Sequence, residues 1–188
     1  MLDHAFVDLQ KIDPRIVLDI RYATENNFVG KVVYTMPKCF LRKAVALKLK
    51  TVQDALEKLD LGLKVFDGYR PLTAQKFFWE LMPDERYVAN PAVGSRHHRG
   101  ASVDVTLVNR HGELPMPTEF DAFNEKSHRS CMEASEEAIC NRAVLEAAMR
   151  SQGFIGLPTE WWHFDDVDWM SYPIEDFSLE ELCNLNPI

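Results

Sequence analysis

The chain is poor in several things that usually signal a function, and each lack removes a class. No run of about eighteen apolar residues appears in its 188 residues, so no transmembrane helix is expected. The N-terminal Met1-Leu2-Asp3-His4 has neither a basic nor an apolar leader segment, so a cytoplasmic location is expected. Basic charge is in deficit: 21 Lys and Arg stand against 29 Asp and Glu, a formal net charge of -8, with no Lys/Arg run. Nucleic acids and anionic membranes both demand a basic face, so neither is expected as a partner. The four cysteines, Cys39, Cys131, Cys140 and Cys183, form no C-x-x-C pair and read as free thiols rather than a zinc finger or a disulfide framework. A glycine-rich phosphate loop, a G-x-S-x-G elbow and the H-E-x-x-H metalloprotease helix are all missing. Internal repeats and low-complexity linkers are absent too. At 46% hydrophobic residues the chain is long and apolar enough for one globular domain, expected over 1–188. Nothing in the sequence decides between a monomer and a homo-oligomer.

What remains is a mixed pattern of short elements. Val17-Leu18-Asp19-Ile20 is a strand candidate. Val45, Leu49, Val52, Leu56 and Leu59 recur at helical spacing and predict an amphipathic helix over 41–59, with Gly62 as its stop. Lys64-Val65-Phe66 predicts a strand running into the turn residues Asp67-Gly68 and Pro71. A helix is expected over 72–81, ended by Pro83. Val103, Val105 and Leu107 alternate with Asp104 and Thr106, the period of a half-buried strand. Residues 113–130 read as an irregular loop. Residues 131–151 read as a helix with Ile139, Ala143, Leu145 and Met149 near one face and Gly153 past its end, and 161–164 as a strand. Ser178-Leu179-Glu180-Glu181 matches a capping box and starts a last short helix. Helices and strands without regular βαβ alternation predict an α+β fold, with a central, mostly antiparallel sheet flanked by helices.

Two segments carry the chemistry. One is Ser95-Arg96-His97-His98-Arg99-Gly100-Ala101-Ser102-Val103-Asp104; the other is Glu160-Trp161-Trp162-His163-Phe164. Together they offer imidazoles, one carboxylate of ligand type and one spare carboxylate, the parts of a hydrolytic zinc site with an open position. Asp104 lies on the polar face of its strand, where a buried carboxylate needs a partner. Gly100 allows the tight return that brings His97 beside it, and His163 supplies a third ligand from another strand. Glu160 lies three residues before His163, an offset that falls on opposite faces of a regular strand. Both serve one site only if the backbone bends near Pro158, and Glu160 is then the general base. Arg70, held extended by Pro71, suits either an oxyanion or a substrate carboxylate. From the residues alone, His98 competes with His97 as a ligand, and Asp104 could instead pair with an arginine such as Arg99.

The pattern S-x-H-x-x-G-x-(A/S)-x-D followed by E-x-x-H resembles the zinc D-Ala-D-Ala metallopeptidases, whose site the hedgehog signalling domain shares. Within that group the chain is most similar to the VanX-type D-alanyl-D-alanine dipeptidases. The resemblance spans most of the chain, through Asp19–Thr24 with Asn26–Phe28, Asp67–Pro71, Ser95–Leu107, Phe120-Asp121 with Ser127-His128, and Glu160–Phe164. It implies one zinc ion per chain held by His97, Asp104 and His163. It also implies Glu160 as catalytic base and Arg70 as stabiliser of the tetrahedral intermediate. Ser95 and Asp121 fall where such enzymes hold the carboxylate and ammonium ends of a dipeptide, and Tyr22 and Tyr34 where they line the pocket. Ser102 departs from the usual alanine, and His98 from a small polar residue. The implied reaction is hydrolysis of D-Ala-D-Ala to two D-alanines. A D,D-carboxypeptidase or endopeptidase acting on peptidoglycan fragments, and a zinc-bearing binding domain without catalysis, are the alternatives.

Overall fold

The structure is a computed structural model and describes residues 4–186. The N-terminal Met1-Leu2-Asp3 and the outermost limits of the expected 1–188 domain lie outside the described residues. Strand β1 (Phe6–Asp8) leads into a short helix α1 (Leu9–Ile12) and β2 (Val17–Leu18). Then come β3 (Phe40–Arg42), α2 (Lys43–Leu56), β4 (Gly62–Asp67) and α3 (Leu72–Leu81). The second half holds β5 (Ser102–Asn109), β6 (Gly112–Glu113), α4 (Glu136–Ser151), β7 (Phe154–Gly156), β8 (His163–Asp166) and α5 (Leu179–Leu185).

The main sheet runs in the order β2-β4-β5-β8-β7, with β6 paired to β5. Every pairing in it is antiparallel except β2 with β4. The expected α+β architecture with a mostly antiparallel central sheet is what the chain adopts. β1 and β3 form a separate antiparallel pair. Helix α2 packs on α4 and on β4, and α4 packs on β7 and β5. Strand alternation explains the division of labour in β5. Val103, Val105 and Leu107 join the apolar core, while Ser102, Asp104 and Thr106 share the opposite face.

Several boundaries shift for local reasons. The helix expected over 41–59 ends at Leu56, passes through a 3-10 turn at Glu57–Leu59 and stops at Asp60, which takes the left-handed conformation (φ 57°). Gly62 is not the stop but the first residue of β4. A side chain there would press on the buried Gln53 amide, which accepts from Leu63 N at 2.8 Å. The helix expected from 131 starts at Glu136, because the Ser135 side chain caps it by accepting from Ala138 N. Its buried face is Ala138, Arg142, Leu145 and Met149. Ala143 is exposed, and Arg142 is drawn inward by the Cys131 carbonyl at 2.7 Å. The strand expected over 161–164 lies two residues later. Its last residues are carboxylates with partners: Asp165 meets Ser102, and Asp166 takes the Lys48 ammonium at 2.7 Å. The α3 limits match 72–81, and the Ser178/Glu181 capping box at α5 is present. No helix among the described residues is long and apolar enough to cross a membrane, and all four cysteines are free thiols.

Candidate active site

His97 sits on a 3-10 turn, Arg96–Arg99, between the sheet and the cavity. The Ser95 hydroxyl starts that turn by accepting from His97 N at 3.2 Å. Gly100 ends it at φ 65°, and a Cβ there would run into the Phe6 ring. That combination of positive φ and close approach is one only glycine meets cheaply. Two residues later β5 begins, and Asp104 stands directly opposite His163 of β8 in the cross-strand register. The chain bends ahead of β8, where Glu160 N donates to Leu157 O at 3.3 Å, so Glu160 is not bound by strand alternation. Its carboxylate comes within 3.9 Å of His163 Nδ1.

Three donor atoms converge. His163 Nδ1 is 3.0 Å from Asp104 Oδ1 and 3.2 Å from His97 Nε2, and His97 Nε2 is 3.6 Å from Asp104 Oδ1. The far side of each ring is already occupied. His97 Nδ1 meets the Gly68 carbonyl at 2.7 Å, and His163 Nε2 meets Asp165 Oδ1 at 2.8 Å. With protons on those outer nitrogens, the inner nitrogens keep lone pairs directed at the shared space. A tetrahedral zinc ion bound at about 2.05 Å needs its donors about 3.3 Å apart, which these separations bracket. All three residues are buried. The donor set therefore fits a zinc ion.

Comparison with known proteins agrees with the geometry. A family model described as D-ala-D-ala dipeptidase, of the M15 peptidases, matches residues 3–179. The chain belongs to the D-Ala-D-Ala dipeptidase family. A D-alanyl-D-alanine dipeptidase of Escherichia coli K12 is 37% identical over 96% of this chain and 93% of its own length. One of Enterococcus faecalis V583 is 33% identical over 89% and 94%, and one of Streptomyces coelicolor A3(2) is 34% identical over 86% and 90%. As a member of this family the chain is an enzyme, a metallopeptidase.

In this dipeptidase-family chain the converging donors open onto a cavity of about 420 Å³, lined also by Glu160, Arg70, Ser95, Tyr22 and Asp121. Arg70 follows β4 and is locked from behind. Its Nε and Nη2 donate to Asp67 Oδ2 at 3.0 and 2.8 Å, and Nη1 donates to Gln75 Oε1 at 2.9 Å. Its Nη2 lies 3.9 Å from Asp104. Tyr22 donates to Asp121, with Oδ2 at 3.0 Å. Asp121 itself is left-handed, at φ 59°. Tyr34, expected to line the pocket, stands behind it instead: its hydroxyl donates to Asp67 Oδ1 at 2.9 Å, and it is not among the cavity-lining residues. His98 turns away from the donor cluster. Its Nδ1 accepts from Ser95 N at 3.2 Å, and its Nε2 is buried without a partner. Arg99 donates to the Tyr172 carbonyl, so it is not the partner of Asp104.

Burial dominates the electrostatics. It pushes the Glu160 carboxyl up to about 8, against the opposing pull of His163. Asp121 is raised well above the carboxylate range by burial and by Asp104, against the Tyr22 hydrogen bond. Burial would raise Asp104 as well, but His97 and His163 overcome it and hold its carboxyl well below the ordinary range. His98 is pushed down to about 3 by burial, aided by the nearby Arg70, His97 and Arg99.

Sequence reasoning missed Asp67, Gln75 and Asp165. Asp67 carried a signal: an acid closing an apolar strand, three residues before Arg70. Asp165 carried another, two residues past His163 and hence on the same strand face. Gln75 carried none, because its role depends on how α3 is placed against Arg70.

Proposed function

We propose that this enzyme hydrolyses the dipeptide D-Ala-D-Ala to two D-alanines, with one zinc ion per chain held by His97, Asp104 and His163. The observation that carries the reading is the meeting of that donor set with Glu160 and Arg70 on the wall of one cavity. A zinc ion there would supply Lewis-acid chemistry, acidifying a water molecule and polarising the scissile carbonyl. Glu160 takes the proton from the attacking water and passes it to the leaving amine. Its buried position suits a proton carrier. Burial raises its pKa toward neutrality, and a nearby cation would draw it back into the range of a working base. Arg70 presents a fixed positive charge to the oxyanion, with Asp67 and Gln75 removing its freedom to swing. Asp121, held by Tyr22, takes the substrate ammonium, whose positive charge offsets the burial that raises the Asp121 carboxyl, and Ser95 contributes to holding the carboxylate.

The dipeptide is a zwitterion with both charges close to the scissile bond. A cavity that pairs both ends rejects longer peptides, because an extended chain leaves a buried polar group of the protein unpaired. The test is D-alanine release by the zinc-loaded protein from D-Ala-D-Ala, beside L-Ala-L-Ala and a pentapeptide ending in D-Ala-D-Ala. Cleavage of D-Ala-D-Ala alone is expected. Comparable cleavage of the pentapeptide would move the enzyme to the D,D-carboxypeptidase reading, and zinc-bound silence on all three would remove the peptidase assignment from this substrate class.

A further inference from the structure

Strands β5 and β8 place four polar side chains on one face of the sheet. Asp104 stands opposite His163, and one step along the same face Ser102 stands opposite Asp165. Asp165 is 1% exposed. A carboxylate that deep costs several kcal/mol unless its oxygens are satisfied, and here they are. Asp165 Oδ1 accepts from Ser102 Oγ at 2.6 Å and faces His163 Nε2 at 2.8 Å, and Oδ2 accepts from the Arg96 guanidinium.

These three partners belong to three separate segments. Ser102 is on β5, which carries Asp104; His163 begins β8; Arg96 is on the turn that carries His97. One buried carboxylate therefore ties together every segment that contributes a donor. It also fixes the orientation of one ring, because with Nε2 held by Asp165 the His163 ring can present only Nδ1 to Asp104 and His97. The hydroxyl of Ser102, the residue that departs from the usual alanine, is used for this carboxylate and is fully buried.

We infer that Asp165 is the positioning residue of the metal centre, with Ser102 as its support. It sets the orientation of His163 and the mutual placement of the three ligand-bearing segments. The inference rests on the ligand set proposed above. Its consequences are graded. Asp165→Ala removes the acceptor and the charge, and weakens zinc binding about 10- to 100-fold. Asp165→Asn keeps an acceptor but loses the charge, and gives a smaller loss. Ser102→Ala gives the smallest.

The experiment measures zinc affinity of the whole chain by competition with a chromophoric chelator. Alongside it, nitrogen-15 NMR of the zinc-loaded, histidine-labelled protein follows the His163 Nε2–H proton. In the wild type that proton should be downfield and slow to exchange; in Asp165→Ala it should exchange fast, and in Asp165→Asn it should be intermediate. A purely structural role for Asp165 would lower stability without moving this resonance. Wild-type zinc affinity with an unchanged Nε2–H signal in Asp165→Ala overturns the inference. If Asp165→Ala does not fold, wild-type affinity in Asp165→Asn overturns it instead. His163→Ala separates the two layers. Full zinc affinity in that variant sinks the ligand assignment itself, whereas its loss there beside normal binding in the Asp165 variants sinks only the positioning role.

Discussion

On the wall built by β5, β8 and the Arg96–Arg99 turn, the donor atoms of His97, Asp104 and His163 lie 3.0 to 3.6 Å apart, and the outer side of each ring is bonded to protein. On the wall built by the end of β4 and the start of α3, Asp67 and Arg70 satisfy one another, with Tyr34 and Gln75 completing the set. Both walls bury charge, yet in opposite arrangements. The first gathers its donor atoms around a common point, an arrangement that fits a cation. The second is neutral as a unit, and its work is to keep a guanidinium still. A single cavity thus joins a wall of converging donor atoms with a wall that carries its own positive charge.

That contrast predicts different failures on the two walls. Glu160→Ala should lower turnover by roughly 10² to 10⁴, the usual range for a general acid–base group, while zinc stays at one equivalent. Near-normal kcat in that variant would remove Glu160 from the reaction. Arg70→Lys should lower kcat about 10²-fold, at the lower end of the loss typical of one oxyanion-stabilising donor. A lysine cannot make the forked contact to Asp67 and the bond to Gln75 together. Zinc content should be unchanged, so a large loss of metal would show that the two walls are not separable.

The smallest effect concerns His98, beside the first wall but outside the donor cluster. Its folded pKa, about 3, lies below the unfolded value of about 6.5. The unfolded chain therefore binds the extra proton between those values, and the stabilisation present above pH 6.5 is lost as pH falls toward 3. For this one group the loss between pH 7.5 and pH 5 is about 2 kcal/mol. Urea denaturation at the two pH values should show a smaller pH difference for His98→Asn than for the wild type. Equal differences would mean that His98 is not held neutral in the fold.

Much of this is legible in the sequence. The alternation of Val103, Val105 and Leu107 with Asp104 identified the strand face, and Gly100 identified the tight return, because both are local consequences of backbone geometry. The need for a bend before His163 followed from the three-residue offset of Glu160 and is met by the turn ahead of β8. Other readings failed because tertiary contacts outweighed local signals. Gly62 looked like a helix stop, but it opens β4, where an added Cβ would crowd the Gln53 amide at 3.1 Å. Tyr34 looked like a pocket residue, but its hydroxyl is claimed by Asp67.

From the sequence alone come the main helices, the strands that carry Arg70, Asp104 and His163, and the mostly antiparallel character of the sheet, since periodicity, turn chemistry and residue type act over a few positions at most. Tertiary packing sets which imidazole turns inward and which nitrogen of each ring faces a protein partner on its outer side. His97 and His98 are neighbours in the chain with the same side chain. They are told apart by the Gly68 carbonyl, brought from 29 residues away to hold one ring, and by the Ser95 amide that holds the other. Contacts of that kind depend on the packing of distant segments, which no local pattern encodes.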